Sequence, residues 1–224
     1  AGTAGETVSV ADCGAVPGDD KNDWHGINRA IQRAVEAGPG ATLRFQPGTY
    51  TVSRPEDDGA WERVQEQRRS GYGRYPSLEK YFTIREAGEL TIDGRGATIV
   101  FGEPTIGGFA LEGCRDVLVR NLTINYDPPP FTQGTVTFLD EEDNVVDLRL
   151  DEGFPSPGGY GAGPGFHRVT SMVFEPETRL WTVPLLFPEN WERQDGRLWR
   201  VSLPRLPEEL ETGDRLTMQV RSNV

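Results

Sequence analysis

The segment from Val8 to Val52 constrains the fold more than any other part of this chain. It reads V-S-V-A-D-C-G-A, then a helical stretch, then A-T-L-R-F-Q-P-G-T-Y-T-V. That order predicts a strand, a small-residue turn, one helix, a strand, a Pro-Gly turn and another strand. Trp24, Ile27, Ile31, Ala34 and Val35 fall on one helical stripe. Asn22 or Asp23 can act as N-cap, and Gly38-Pro39-Gly40 stops the helix, giving a helix over about residues 23–37. A single amphipathic helix ahead of a run of strands suits a stack whose first strand would otherwise offer an open, pairing-competent edge.

Two later segments repeat each other. F-T-I-R-E-A-G-E-L-T-I-D-G from Phe82 aligns with F-A-L-E-G-C-R-D-V-L-V-R-N from Phe109. Phe82 matches Phe109, Ile84 Leu111, Ala87 Cys114, Leu90 Val117 and Ile92 Val119. Gly94 matches Asn121, two residue types that tolerate the left-handed turn conformation. Each unit then adds a strand, Ala97–Phe101 and Leu122–Tyr126. Repetition at this period marks a solenoid. Ile84, Leu90, Ile92, Leu111, Val117, Val119, Leu122 and Ile124 are therefore expected to point into one core. Between the opening motif and this pair, the charged stretch Arg54–Lys80, with Trp61, Tyr72 and Tyr75, reads as a surface excursion, helical over Gly59–Arg69.

After Tyr126 the rhythm changes from repeats to hairpins. T-V-T-F-L-D, E-E-D-N, V-V-D-L-R-L forms one; R-V-T-S-M-V-F, E-P-E-T, R-L-W-T-V a second; R-L-W-R-V-S-L with D-R-L-T-M-Q-V a third pair. Val136, Phe138, Val146, Leu148, Val173, Trp181, Leu198, Val201, Leu216 and Met218 are the expected core of this module. The organisation expected is therefore coils over residues 1–132, an inserted antiparallel barrel-like module over 133–220, and re-entry into the coils at 221–224.

The opening motif resembles the start of right-handed parallel β-helices of the pectate-lyase-like superfamily. The residues that carry the resemblance are Asp12, Cys13, Gly14, Ala15, Asp19, Asp20, Asp23, Ile27, Ala30, Ile31, Ala34, Leu43, Phe45, Pro47, Gly48, Thr49 and Tyr50. The fold class this implies is all-β: a right-handed parallel β-helix with a capping helix and an inserted small antiparallel β-barrel or sandwich. The later stretch N-L-T-I-N-Y-D-P-P-P-F-T-Q-G-T-V is similar to the exo-α-galactosidases of glycoside hydrolase family 110, through Asn121, Ile124, Asp127, Pro128, Phe131, Thr132, Gln133 and Gly134. The resemblance implies inverting hydrolysis of terminal α-linked galactose, or of a related neutral glycan, with no metal and no cofactor. It places the catalytic carboxylates beyond Val224. The chain then reads as the N-terminal part of a longer glycoside hydrolase, inactive alone, its stack completed by a C-terminal remainder or by homo-oligomerisation.

Composition narrows the alternatives. The net charge of −12 argues against nucleic acid and anionic membranes as partners, and no apolar run approaches the roughly 20 residues of a membrane span. Two lysines, Lys21 and Lys80, and the acidic balance count against a polysaccharide lyase acting on polyuronates; a non-catalytic glycan-binding or fibre-like β-helix remains the other alternative. The arginine excess over lysine fits a high-GC bacterium. A start at Ala1 without Met fits a mature, secreted or extracellular protein, with the periplasm as the alternative compartment. Cys13 and Cys114 match no metal-ligand spacing; they read as core thiols, with a disulfide left open.

Inverting hydrolysis needs two carboxylates about 6.5–9.5 Å apart. Asp93 and Asp127 are the best pair available, though each is also a natural turn former. Asp127, Thr132 and Gln133 are the candidate substrate-binding residues, because the chain leaves the coils there. His25 and His167 lack triad partners, and no Walker loop, H-E-x-x-H, G-x-S-x-G or EF-hand pattern occurs. The acidic runs Glu56–Asp58 and Asp140–Asp143 read as solvated turns, and Gly158–Gly165 as a loop with no phosphate-binding context.

Overall fold

A computed structural model describes residues 5–56, 58–66, 79–104, 106–157, 168–183 and 185–221. The chain is mostly β-strand and divides into two compact units, Ala1–Asp127 and Pro128–Val224. The first pairs its strands in parallel, the second in antiparallel fashion.

In the first unit, β1 (Thr7–Ser9) pairs with β2 (Thr42–Arg44), and β2 with the first half of β5 (Thr91–Phe101). The second half of β5 pairs with β3 (Gly48–Val52), and the whole of β5 with β7 (Leu118–Tyr126). A separate parallel pair joins β4 (Lys80–Arg85) to β6 (Gly107–Glu112). The repeat read from the sequence is the register seen here: Phe82 lies opposite Phe109, Ile84 opposite Leu111 and Ile92 opposite Val119. Successive side chains alternate faces, so one register fixes a whole inward row: Leu43, Ile92, Val119, then Tyr50, Ile99, Ile124.

The corner within β5 differs from expectation. Asn121 adopts the left-handed conformation (φ 53°), but on β5 the left-handed residues are Arg95 and Gly96, where the register shifts. Gly94 is required for another reason: a Cβ there would sit 2.4 Å from the Asn121 carbonyl oxygen.

Helix α1 (Trp24–Glu36) packs against β1, β2 and β4 through Trp24, Ile27, Ala30, Ile31 and Ala34. Asp23 occupies the N-cap position, but its carboxylate turns away to accept the Val16 and Thr51 N–H groups, at 3.0 and 3.1 Å. It thereby ties the turn before the helix to β3, and its burial raises its pKa despite those two bonds. The Asn22 side chain does the local capping, accepting from Trp24 N–H. Helix α2 (Asp58–Glu66) begins the excursion; Trp61 is buried against Trp24 and Tyr81, so it pins the segment to the stack. Tyr72 and Tyr75 lie outside the described residues. Cys13 and Cys114 are free thiols.

The core expectation needs one correction. Ile84, Leu90 and Ile92 are buried, and Val117 and Leu122 are partly buried against them. Leu111, Val119 and Ile124, however, are 49%, 48% and 48% exposed. They face the core direction from β6 and β7, the outermost strands of their stacks, and among the described residues no strand covers them. Energetics follow position. Leu43→Ala, at a fully buried position, should cost about 2–5 kcal/mol, whereas Leu111→Ala should cost under about 1.5 kcal/mol because half of its surface is already wet. Urea unfolding of the two variants checks this; equal losses would contradict it.

The second unit is one six-stranded antiparallel sheet. Its strands are β8 (Phe131–Asp140), β9 (Val145–Leu150), β10 (Arg168–Phe174), β11 (Asn190–Asp195), β12 (Leu198–Ser202) and β13 (Arg215–Arg221), in the spatial order β10-β13-β8-β9-β12-β11. The β8–β9 hairpin turns at residues 141–144, with Asn144 left-handed. The third expected pair does not form: β12 pairs with β9 and β11, while β13 pairs with β8 and β10. Strand β11, rich in charge, carries no apolar alternation that would announce it. The second hairpin survives only as isolated bridges, Phe174 to Trp181 and Ser171 to Leu186.

Val136, Val146, Leu148, Val173, Val201, Leu216 and Met218 are buried as expected, and Leu198 is half-buried. Phe138 and Trp181 are exposed instead. The register slips between Val136 and Phe138, which takes Phe138 off the inward alternation, and Trp181 sits outside any continuous strand. Re-entry was expected over residues 221–224, but Arg221 still belongs to antiparallel β13, opposite Arg168, and residues 222–224 lie outside the described residues.

Candidate functional site

Asp93 stands on the outward face of β5, in the register row Arg44–Asp93–Arg120. Its carboxylate accepts from Arg120 at 2.9 Å, from the Asn121 amide at 3.2 Å and from Arg95 N–H at 3.2 Å. The Asn121 hydrogen bond, with Arg120 beside it, lowers its pKa. Such a group is held ionised; it suits a structural ladder and not a general acid. Arg95, Gly96, Leu122 and Thr123 join it in lining a shallow, open groove at the corner.

Asp127 is exposed just past β7, its N–H bonded to the Phe101 carbonyl. It lies seven residues along the chain from Arg120, the register partner of Asp93. At ~3.3 Å per residue that offset exceeds, even around a corner, the about 6.5–9.5 Å that inverting chemistry uses. The two carboxylates are therefore not brought together as a pair.

Thr132 and Gln133 belong to the second unit and point to opposite faces of β8. Thr132 is fully buried beside Met218, and its hydroxyl has no hydrogen-bond partner. Gln133 faces outward and donates to Asp151 at 3.0 Å. Arg215 makes a two-pronged ion pair with the same carboxylate and also donates to Thr135 at 2.8 Å. Phe131 and Phe154 pack together at 5.4 Å, and Arg197 holds the Leu150 and Phe154 carbonyls. The Asp151–Arg215 pair, 64 residues apart in sequence, is the polar cluster that sequence reasoning missed. Only the β8–β13 register, with Thr135 opposite Arg215, discloses it.

The Arg215 hydrogen bond is the main cause of a lowered Asp151 pKa. The sign follows: the ionised pair stabilises the fold above the ordinary carboxylate pKa of about 4, and that contribution fades as pH falls through the lower folded value. Because both side chains are partly exposed, Asp151→Asn should cost no more than about 1 kcal/mol at neutral pH. It should converge with the parent as pH falls below the lowered folded value. Urea midpoints across that range measure it, and a gap that persists in acid would exclude the pairing as the cause.

His25 stacks edge-on against Trp24 at 4.9 Å, a packing role; His167 and Gly158–Gly165 lie outside the described residues. Among the described residues, no three His, Cys, Asp or Glu side chains converge as a metal site, and no helix is long and apolar enough to cross a membrane.

No family model matches the chain. Curated relatives do. Alpha-1,3-galactosidase B of Bacteroides thetaiotaomicron is 28% identical over 150 residues, covering 66% of this chain and 23% of that protein. Alpha-1,3-galactosidase A of Shewanella woodyi is 23% identical over 192 residues, covering 84% of this chain and 30% of that protein. Alpha-1,3-galactosidase A of B. thetaiotaomicron is 25% identical over 130 residues, covering 57% and 22%. The similarity is distant and relates the chain to glycoside hydrolases. The chain spans less than a third of the length of each of these relatives.

Proposed function

We propose that this chain is the N-terminal part of a secreted glycoside hydrolase that removes terminal α-linked galactose, or acts on a related neutral glycan, by inverting hydrolysis. Its first unit is the opening of a right-handed parallel β-helix, and its second an inserted antiparallel module. One observation carries the proposal. The match to a named alpha-1,3-galactosidase runs over 192 residues, too many for either unit alone, so parallel and antiparallel parts both fall within it. The acidic balance supports a neutral over a polyanionic glycan.

On this proposal the general acid and base lie elsewhere in the longer polypeptide. Asp93 is committed to its arginine and asparagine partners, and Asp127 is exposed to solvent. The test is proton NMR of the first-formed product from an α-galactoside treated with the complete gene product. β-Galactose appearing first is the expected result. α-Galactose first would replace inversion by retention, and an unsaturated, ultraviolet-absorbing product would make the protein a lyase.

A further inference from the structure

The outer face of the second unit sorts its side chains into columns. On edge strand β10, Met172 and Phe174 alternate with the buried Ser171 and Val173 and so face outward. Beyond that edge the chain returns through two isolated bridges, Phe174 to Trp181 and Ser171 to Leu186. Trp181 is 54% exposed beside half-buried Phe174, and Phe187, next to buried Leu186, is 49% exposed. The β10–β13 register sets Phe174 opposite Arg215 and Met172 opposite Thr217. The β13–β8 register carries the two rows on to Thr135 and Gln133. An apolar column thus flanks a polar one, in the rows Trp181–Phe174–Arg215–Thr135 and Met172–Thr217–Gln133. Phe131, packed on Phe154, stands two residues before Gln133 on the same outward alternation of β8.

Exposed apolar side chains are ordinary, and Val16, Leu118 and Phe138 are exposed elsewhere. What sets this face apart is an exposed ring beside groups that hydrogen-bond in fixed planes. Asp151 neutralises Arg215, so the middle of the face offers hydrogen bonds with no net charge. Gln133 spends one amide hydrogen on Asp151, and its carbonyl and second hydrogen make no bond among the described residues. A sugar ring presents an apolar C–H face and a rim of hydroxyls that both donate and accept, which matches an aromatic surface beside such groups. A protein partner fits less well, because charge is depleted from the core of protein interfaces and here an ion pair lies at the centre. From Trp181 to Gln133 the rows cross three strand spacings, about 14 Å, which suits a short oligosaccharide better than a single sugar. Exposed Arg149, past Thr135 in the first row, makes an acidic sugar chain the competing ligand.

We propose that this face, from Trp181 across Arg215 to Gln133, is a binding site for a neutral oligosaccharide. Trp181 supplies the stacking surface, Phe174 backs it, and Arg215, Thr135 and Gln133 hold hydroxyls. The choice of a galactose-containing chain as ligand rests on the reading given under Proposed function.

The experiment titrates this chain with α-1,3-linked galactose oligosaccharides and, separately, with polygalacturonate. Calorimetry follows binding, and oxidative footprinting locates the bound face. Saturable binding of the neutral sugar, with Trp181 protected as it binds, is the expected result. Trp181→Ala should weaken that binding on the order of tenfold or more, and Gln133→Ala several-fold. Phe138→Ala, which removes an exposed ring further along β8, should leave it unchanged. No saturable binding of the neutral sugar would overturn the proposal, as would equal losses from Trp181→Ala and Phe138→Ala. Preference for polygalacturonate would overturn it by making the ligand acidic. Protection of Trp181 in the complete gene product without any sugar would overturn it by assigning the face to a protein contact. Binding by this chain, beside a complete gene product that cleaves no galactoside, would leave this inference standing and sink the functional reading. Cleavage by the complete product with no binding at this face would do the reverse.

Discussion

Replacing Trp24 with alanine should lower the unfolding free energy by about 3–5 kcal/mol, the largest stability loss expected for a single side chain here. Trp24 is almost wholly buried at the first turn of α1. Its ring meets His25 edge-on and Trp61 at 5.9 Å, and its Nε1–H donates to the Tyr81 carbonyl at 2.8 Å. One residue thus joins the capping helix, the excursion and β4. Trp24→Phe keeps much of the apolar area but leaves that carbonyl without its side-chain donor, so about 1–3 kcal/mol of the loss should remain. Urea unfolding followed by circular dichroism separates the two variants. A loss below about 1 kcal/mol for Trp24→Ala would mean that the helix does not hold the stack together.

What could be read from the sequence, and what could not, divides along local and non-local lines. The helix was legible because Trp24, Ile27, Ile31 and Ala34 repeat at helical spacing, and it runs Trp24–Glu36. The register of Phe82 on Phe109 and Ile92 on Val119 was legible because parallel strands in a stack repeat the same side-chain needs. The exposure of Leu111, Val119 and Ile124 was not, since burial of an inward residue depends on the next strand and not on its own neighbours in sequence. Phe138 failed because a register slip leaves no mark on an alternating pattern. The β12–β9 and β13–β8 pairings failed because sequential strands were assumed to be partners, and this sheet joins strands distant in the chain.

The candidate site was read from the sequence as a location only. Asp127, Thr132 and Gln133 were chosen because the coil pattern ends there, with a boundary expected at 132/133; the two compact units divide between Asp127 and Pro128. Which polar groups gather could not be read: Gln133 joins Asp151 and Arg215, while Thr132 turns inward. Their role in substrate binding stays a proposal that rests on the resemblance.

Hydrolysis should separate this chain sharply from its complete gene product. General acid and base catalysis each contribute roughly 10²–10⁴-fold, so a polypeptide without the pair should fall short by at least that factor. Asp23, whose burial raises its pKa, is locked on two backbone N–H groups, and Asp93 and Asp151 are lowered by their partners. The measurement that tests the account most directly is therefore the rate on nitrophenyl α-galactosides and on α-1,3-linked galactose oligosaccharides, for this chain and for the complete gene product side by side. The account predicts turnover by the complete product and none above background by this chain. Robust turnover by this chain, abolished by Asp127→Asn, would contradict it and make Asp127 catalytic.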